Sequence, residues 1–261
     1  MAVDEAILEA VGRGQILPTL RFYSWDPPCL SLGYAQTASD VSLQALESRG
    51  WDLVRRPTGG RAILHTDELT YSVIGHPGEP RLAGGIPESY RVLSRALLHA
   101  LQRMGIPADS NEGTASIIMD GNIRSTELEN PVCFEVPSHY EITVFGKKLI
   151  GSAQARRKEG ILQHGTLPLQ GDLLRIMEVL DFSTEEDKDA AGRRLNDRAI
   201  TVEQVLGNAI TFEKCANAIA ESFQQILFLN LLRSDITAFE YRRAQELVVE
   251  KYSDPGWTFR I

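Results

Sequence analysis

The sequence predicts an α/β (α+β) fold: a mixed, largely antiparallel sheet flanked by helices, with a mainly helical last third. Three observations predict it. Short β-prone runs alternate closely with helical spacing in the first 75 residues, a strand-rich block follows Gly105, and from Gly171 apolar residues recur at helical intervals. In chain order, Ala2, Val3, Ile7, Leu8 and Val11 share a helical face, and Gly12 and Gly14 follow where a helix would end. RFYSW from Arg21, and CLSLGY beyond Pro27 and Pro28, read as two short strands. Ser39 or Asp40 is placed to cap a helix that runs through Glu47 and stops at Gly50. WDLVRR, RAILH and ELTYSVIG then read as strands, with a hairpin turn at Thr58, Gly59 and Gly60.

Residues 76–89 are rich in proline and glycine and read as a loop. Tyr90 to Met104 follows with Val92, Leu93, Ala96, Leu97, Ala100 and Leu101 on one face, an amphipathic helix to pack on the sheet. TASIIM, PVCFEV, YEITVFG, KKLIGSAQARR and GILQHGTLPL supply further strands, with turns at Gly146–Lys147 and at Gly160. Near the end, Ala216, Ile219, Ala220, Phe223, Ile226 and Leu227 exemplify the helical spacing. No repeat or linker divides the chain, so residues 1–261 are expected to form one domain whose part 171–261 is mainly helical.

Composition narrows the function. The chain has 261 residues, is 43% hydrophobic and 24% charged, and holds no apolar run of the roughly 18 residues a membrane span requires. Twenty-seven bases against 35 acids leave a net charge of −8, which repels phosphate backbones and argues against nucleic-acid binding. Cys29, Cys133 and Cys215 are far apart, without paired or zinc-ligand spacing, so neither a disulfide framework nor a metal site is expected. Asp4 and Glu5 stand where a secretory leader would be basic, and a cytoplasmic location is expected.

The segment with most chemical content is RRPTGGRAILHTDELTYSVIG, residues 55–75. Its paired glycines lack Cβ atoms, so the backbone can approach a ligand and offer N–H groups. It matches neither the phosphate loop nor the dinucleotide fingerprint. Taken with GKKLIGSAQARRKEGILQHGTLPL downstream, it resembles the biotin/lipoate protein ligase superfamily. The resemblance runs from MAVDEAILEA through RFYSWDPPCLSLGYAQ to about Pro168. PVCFEVPSHYE, residues 131–141, is similar to the cysteine-bearing stretch of the Gram-positive octanoyltransferase branch, and Arg61 stands where ATP-dependent ligases commonly carry a third glycine.

The resemblance implies a biotin/lipoate ligase-like fold and a protein N-octanoyltransferase of lipoate biosynthesis. Octanoyl would pass from acyl carrier protein to Cys133 as a thioester, then to the lysine of a lipoyl-accepting domain such as glycine cleavage H protein or a dehydrogenase E2. Lys148, three residues before Gly151-Ser152-Ala153, takes the family's lysine position in preference to Lys147. Arg56, Thr58, Gly59, Gly60, Arg61, His65, Gly151, Ser152, Ala153, His164 and Gly165 are the expected substrate-binding residues. No cofactor or metal is implied. His99 and His139 lack ligand spacing and read as surface or core residues, and Cys29 and Cys215 as buried apolar ones. The alternatives are an ATP-dependent lipoate or octanoate ligase, which would not use Cys133, and a noncatalytic acyl-binding module. Family members usually carry one more strand before the first helix, which here starts at Met1. Of two basic clusters, Arg156-Arg157-Lys158 is expected nearer Lys148 than Arg193, Arg194 and Arg198, and so the better landing surface for an acidic carrier.

Overall fold

A computed structural model describes residues 1–110 and 141–261, so the expected strands TASIIM and PVCFEV, with Cys133 and His139, lie outside the described residues. In order, the described elements are α1 (Ala2–Gly12), β1 (Thr19–Tyr23), β2 (Cys29–Leu32), α2 (Leu43–Arg49), β3 (Asp52–Arg55), β4 (Ile63–His65), β5 (Glu68–Gly75) and α3 (Ile86–Arg103). Next come β6 (Asp109–Ser110), β7 (Ile142–Val144), β8 (Lys147–Arg156) and β9 (Ile161–Pro168). Helices α4 (Glu185–Arg198), α5 (Val202–Leu206), α6 (Phe212–Leu227), α7 (Ala238–Leu247) and α8 (Pro255–Thr258) complete the chain.

The main sheet is antiparallel throughout, in the order β1-β5-β9-β8-β7-β6. A second sheet, β3-β2-β4, pairs β2 parallel to β3 and antiparallel to β4. The fold is thus mixed and largely antiparallel, with helices following, as expected. Helices α3 and α6 cover the main sheet: Leu93, Leu97 and Leu101 meet Ile219 and Phe223 in one core with Leu69, Leu149 and Leu167. Helix α1 packs Ile7, Leu8 and Val11 on Ile74 and Leu162. The small sheet has its own core, where Leu30 and Leu32 meet Ile176 and Leu195.

Three local expectations shift. The turn between β7 and β8 is centred on Phe145 (φ 53°) and Gly146 (φ 78°), not Gly146 and Lys147, because a two-residue hairpin of this hand needs positive φ at both central positions. Helix α2 is preceded by Ser42 rather than capped by Ser39 or Asp40. Helix α3 starts early, at Ile86, with Pro87 in its first turn and the Gly85 N–H donating to Glu88 Oε2 at 2.8 Å, so the irregular stretch ends at Gly85.

The larger correction concerns the Gly-Gly segment. It is not a hairpin: β3 and β4 do not pair with each other, and each pairs with β2 instead. Residues 56–62 therefore cross the end of β2, and Gly60 (φ 93°) lies against Gly33, where a Cβ would come 1.8 Å from the Gly60 oxygen. Alternation along β3 and β4 is the same for either pairing, so it could not tell them apart.

Helix α1 also buries two carboxylates. Asp4 is fully enclosed and accepts hydrogen bonds from Arg21 Nη1 (2.8 Å), Tyr23 OH (2.8 Å) and Ser72 Oγ (3.0 Å). Burial opposes its charge, but His164, the N-terminal ammonium and Arg21 outweigh that and hold the carboxyl well below the usual range. A depressed folded-state pKa contributes stability that is present above the unfolded value, near 4, and disappears as pH falls below it. Asp4→Asn should therefore lower stability by about 1–3 kcal/mol at pH 7, with the gap to wild type closing toward pH 2 to 3. Urea unfolding at both pH values checks this, and an equal loss at each would assign the effect to shape rather than charge.

Candidate functional site

Between the two sheets lies a cavity of about 550 Å³ with a mostly apolar lining. Strand β8 forms one wall from Lys148 through Gly151, Ser152, Ala153 and Gln154, and β9 contributes His164, Gly165 and Thr166. The crossing loop supplies Arg56, Gly59, Gly60 and Arg61, the small sheet Ile63 and His65, and α3 Ile86 and Tyr90. Every expected site residue within the described chain lines this cavity except Thr58, which stands behind it with Oγ1 2.6 Å from His164 Nε2.

Register on β8 separates the two lysines. Lys148 is buried in the cavity wall, with Nζ donating to Glu141 Oε1 at 2.7 Å, while Lys147 donates to the Asn196 carbonyl of α4 at 2.6 Å. Adjacent strand residues face opposite sides, so only one of the pair can reach the cavity. A bulge accompanies this: Thr143 pairs with Lys148 but Ile142 with Ile150.

The floor depends on a missing side chain. At Gly165 a Cβ would meet Ser152 Oγ at 2.6 Å, Tyr71 Cε1 at 2.6 Å and the Gly151 oxygen at 2.7 Å. Those groups are themselves tied, since Tyr71 OH lies 2.7 Å from Ser152 Oγ and accepts from Gln163 Nε2 at 3.1 Å. Gly165→Ala should therefore cost about 1–3 kcal/mol by overpacking, checked by thermal unfolding. An unchanged unfolding temperature would mean that Ser152, Tyr71 and the Gly151 carbonyl yield without cost.

Two histidines sit in different environments. The Arg56 guanidinium donates to Ser31 Oγ at 3.0 Å, the same oxygen lies 2.7 Å from His65 Nε2, and His65 Nδ1 lies 2.7 Å from Glu68 Oε1. Trp25 stacks on that ring at 4.2 Å, and Thr70 and Thr166 donate to Glu68. His65 is thus held at both ring nitrogens. His164 is held below its usual pKa by burial, although Asp4, 3.9 Å from Nδ1, pulls the other way. Trp25, Glu68, Gln154 and Asp4 were not singled out from sequence, and the available signal was an acid on an otherwise apolar helix face or strand.

The thiols divide clearly. Burial pushes Cys29 up to about 12 and Cys215 up to about 11, which disfavours their thiolates at neutral pH, and neither lines the cavity. His99 Nδ1 bonds Ser222 Oγ at 3.0 Å, away from the cavity lining. No cluster of three metal-ligating side chains occurs among the described residues, and no helix there is long and apolar enough to cross a membrane.

The basic clusters exchange places. Arg156 is occupied in holding the Leu82 and Gly84 carbonyls (2.9 and 2.8 Å), and Arg157 pairs with Glu5 at 2.9 Å. Arg198 immediately precedes Ala199, which bridges Lys148, and the Ile200 N–H donates to the Lys148 oxygen at 3.1 Å. Arg156 stands eight residues away along β8, roughly 26 Å at about 3.3 Å per residue. The α4 cluster is thus the nearer one, because the chain returns to β8 only after that helix.

Residues 1–224 match the lipoyl protein ligase A/B catalytic domain. This chain belongs to that family. It is an acyltransferase with full-length relatives, among them octanoyltransferase LipM of Kyrpidia tusciae, 41% identical over all of this chain and 93% of that protein. Octanoyltransferase LipM of Lysinibacillus sphaericus is 38% identical, with 94% of that protein covered. Among solved structures, a lipoate-protein ligase A bound with ATP superposes with a TM-score of 0.77 at 26% identity, over 99% of this chain and 92% of that one. A bipartite lipoate protein ligase of Thermoplasma acidophilum, studied with its E2 lipoyl domain, matches with a TM-score of 0.77 at 25% identity over 99% and 89%. The lipoyl ligase A/B family likeness therefore extends beyond the sequence motifs to the whole described fold, the C-terminal helices included.

Proposed function

We propose that this family member is an octanoyltransferase that takes octanoyl from acyl carrier protein and delivers it, through a thioester on Cys133, to the lysine of a lipoyl-accepting domain. The observation that carries the reading is Lys148, a buried ammonium at one end of a largely apolar cavity. With Cys29 and Cys215 held protonated, Cys133 is the remaining thiol of the chain.

In the first step the Cys133 thiolate attacks the carrier thioester carbon, and the carrier thiol leaves with the electron pair of the broken C–S bond. In the second, the neutral ε-amine of the acceptor lysine attacks the enzyme thioester, an amide forms, and Cys133 departs as thiolate while the amine proton passes to solvent. Lys148 has two uses in this scheme. An ordinary thiol near pKa 8.5 is only a few per cent ionised at pH 7, and one cation at about 4 Å, at an effective dielectric near 20, supplies up to roughly 4 kcal/mol in favour of thiolate. The same ammonium can stabilise the oxyanion of each tetrahedral intermediate, and the Gly59–Gly60 loop, which lines the same cavity, helps hold the acyl group. The cavity adds affinity, since seven methylene-sized groups at about 0.8 kcal/mol each give roughly 6 kcal/mol.

The test is intact-protein mass spectrometry after mixing with octanoyl carrier protein in the absence of ATP. A single octanoyl adduct, discharged when an apo lipoyl domain is added, is expected. Transfer only with ATP and free octanoate would make the chain a ligase, and saturable binding without adduct or turnover an acyl-binding module.

A further inference from the structure

Arg55, the last residue of β3, is fully buried, and each of its hydrogen bonds goes to a main-chain carbonyl. Nη1 donates to the oxygens of Gly33 (2.7 Å) and Gln36 (2.6 Å), while Nε donates to that of Thr258 (2.9 Å), 203 residues further along. No carboxylate compensates the charge among the described residues. Nη2 is buried without a hydrogen-bond partner among the described residues, so the charge depends on the bonds made by Nε and Nη1, and the guanidinium is a rigid planar fork whose donors cannot follow their acceptors independently. The carbonyls on both sides must therefore stay in register with one plane.

One side of that fork is the cavity wall. Gly33 abuts Gly60, the Tyr34 N–H donates to the Thr58 oxygen at 2.8 Å, and Ala35 and Gln36 line the cavity. The other side is the C-terminal segment, which is tied to the same strand and loop three more times. Trp257 Nε1 donates to the Arg55 oxygen at 2.9 Å, the Ala38 N–H to the Ile261 oxygen at 3.3 Å, and the Arg260 guanidinium lies 3.8 Å from the Tyr34 ring centroid. Sequence reading had no means of linking residues 255–261 to this site.

We infer that Arg55 is a positioning residue that couples the seating of residues 255–261 to the Ala35–Gln36 and Gly59–Gly60 wall, so that the C-terminal segment sets the cavity's affinity for its acyl ligand. The inference rests on the cavity being the acyl site. Coupling of this kind is reciprocal: a ligand that orders the wall must also order the tail. The same linkage leaves the chemistry at Lys148 largely alone, because Arg55 touches neither Lys148 nor the cavity interior.

The experiment uses octanoate as probe and amide hydrogen exchange as readout on the full chain. In wild type, octanoate should slow exchange in both 33–36 and 255–261. Arg55→Lys, which keeps the charge but not the fork, should weaken octanoate binding about tenfold and end the protection of the tail. Trp257→Phe removes the indole donor to Arg55 while keeping an aromatic ring among Tyr34, Tyr252 and Lys251, and serves if Arg55→Lys does not fold. It should speed exchange at 33–36 without ligand and raise the KM for octanoyl donor, with kcat changed less than about twofold. Wild-type affinity in Arg55→Lys, or unchanged exchange at 33–36 in Trp257→Phe, would overturn the coupling. Failure of wild type to bind octanoate would instead count against the acyl-site reading, and the ligand-free exchange in Trp257→Phe would still judge the coupling.

Discussion

Cys133→Ala is expected to abolish octanoyl transfer and the mass adduct together, while the protein still unfolds cooperatively at nearly the wild-type temperature. The expected loss is at least about 10⁴-fold, because removing a covalent nucleophile closes the two-step route and leaves only direct aminolysis of the carrier thioester. Cys29→Ala and Cys215→Ala are the matched controls. Their thiols are buried and held near 12 and 11, so neither can substitute for Cys133, and both variants should keep turnover within about threefold of wild type if they fold. Transfer from carrier protein by Cys133→Ala at a near wild-type rate would end the thioester mechanism.

Lys148→Ala should slow acylation about 10²- to 10³-fold, the range found when one preorganised charge is removed from a developing oxyanion, whereas Lys147→Ala should change it less than about twofold. The asymmetry follows from β8, which turns Lys148 into the cavity and leaves Lys147 on the Asn196 carbonyl. Removing the ammonium also takes a cation from Glu141 Oε1, 2.7 Å away, so Lys148→Ala should be compared with Lys148→Ala combined with Glu141→Gln. Single-turnover acylation by carrier protein, followed by quenched mass spectrometry, gives the rate of the step itself. Equal losses at positions 147 and 148 would show that the ammonium acts through the fold and not through the reacting carbonyl.

Much of the site was legible from local sequence because its chemistry sits on periodic elements. Two-residue alternation along KKLIGSAQ allows only one lysine of the pair inward, and the resemblance, with a lysine three residues before Gly151-Ser152-Ala153, chose Lys148, which lines the cavity. Glycine at 165 marks a place where a side chain is excluded and Gly60 takes a positive φ of 93°, and both line the cavity. The buried acids were less legible. Asp4 on α1 looks, in sequence, like a favourable charge in a first helical turn, and only the approach of Arg21, Tyr23 and Ser72 from two strands makes it a buried, multiply bonded carboxylate.

Sequence by itself determined the alternation of strands and helices, the amphipathic face of α3, the inward lysine and the family. The first two follow from intervals of two or three to four residues within one element, where neighbours along the chain set which side a residue faces, and the last two from the resemblance of whole motifs to a known family. Tertiary structure alone decided that β3 and β4 flank β2 rather than each other, that the α4 cluster and not Arg156 stands near Lys148, and that the last seven residues brace the cavity through Arg55. Each of those is a choice of partner across tens to two hundred residues. Several pairings bury the same apolar faces equally well, and steric fit and the satisfaction of buried polar groups select among them only when the whole chain is assembled.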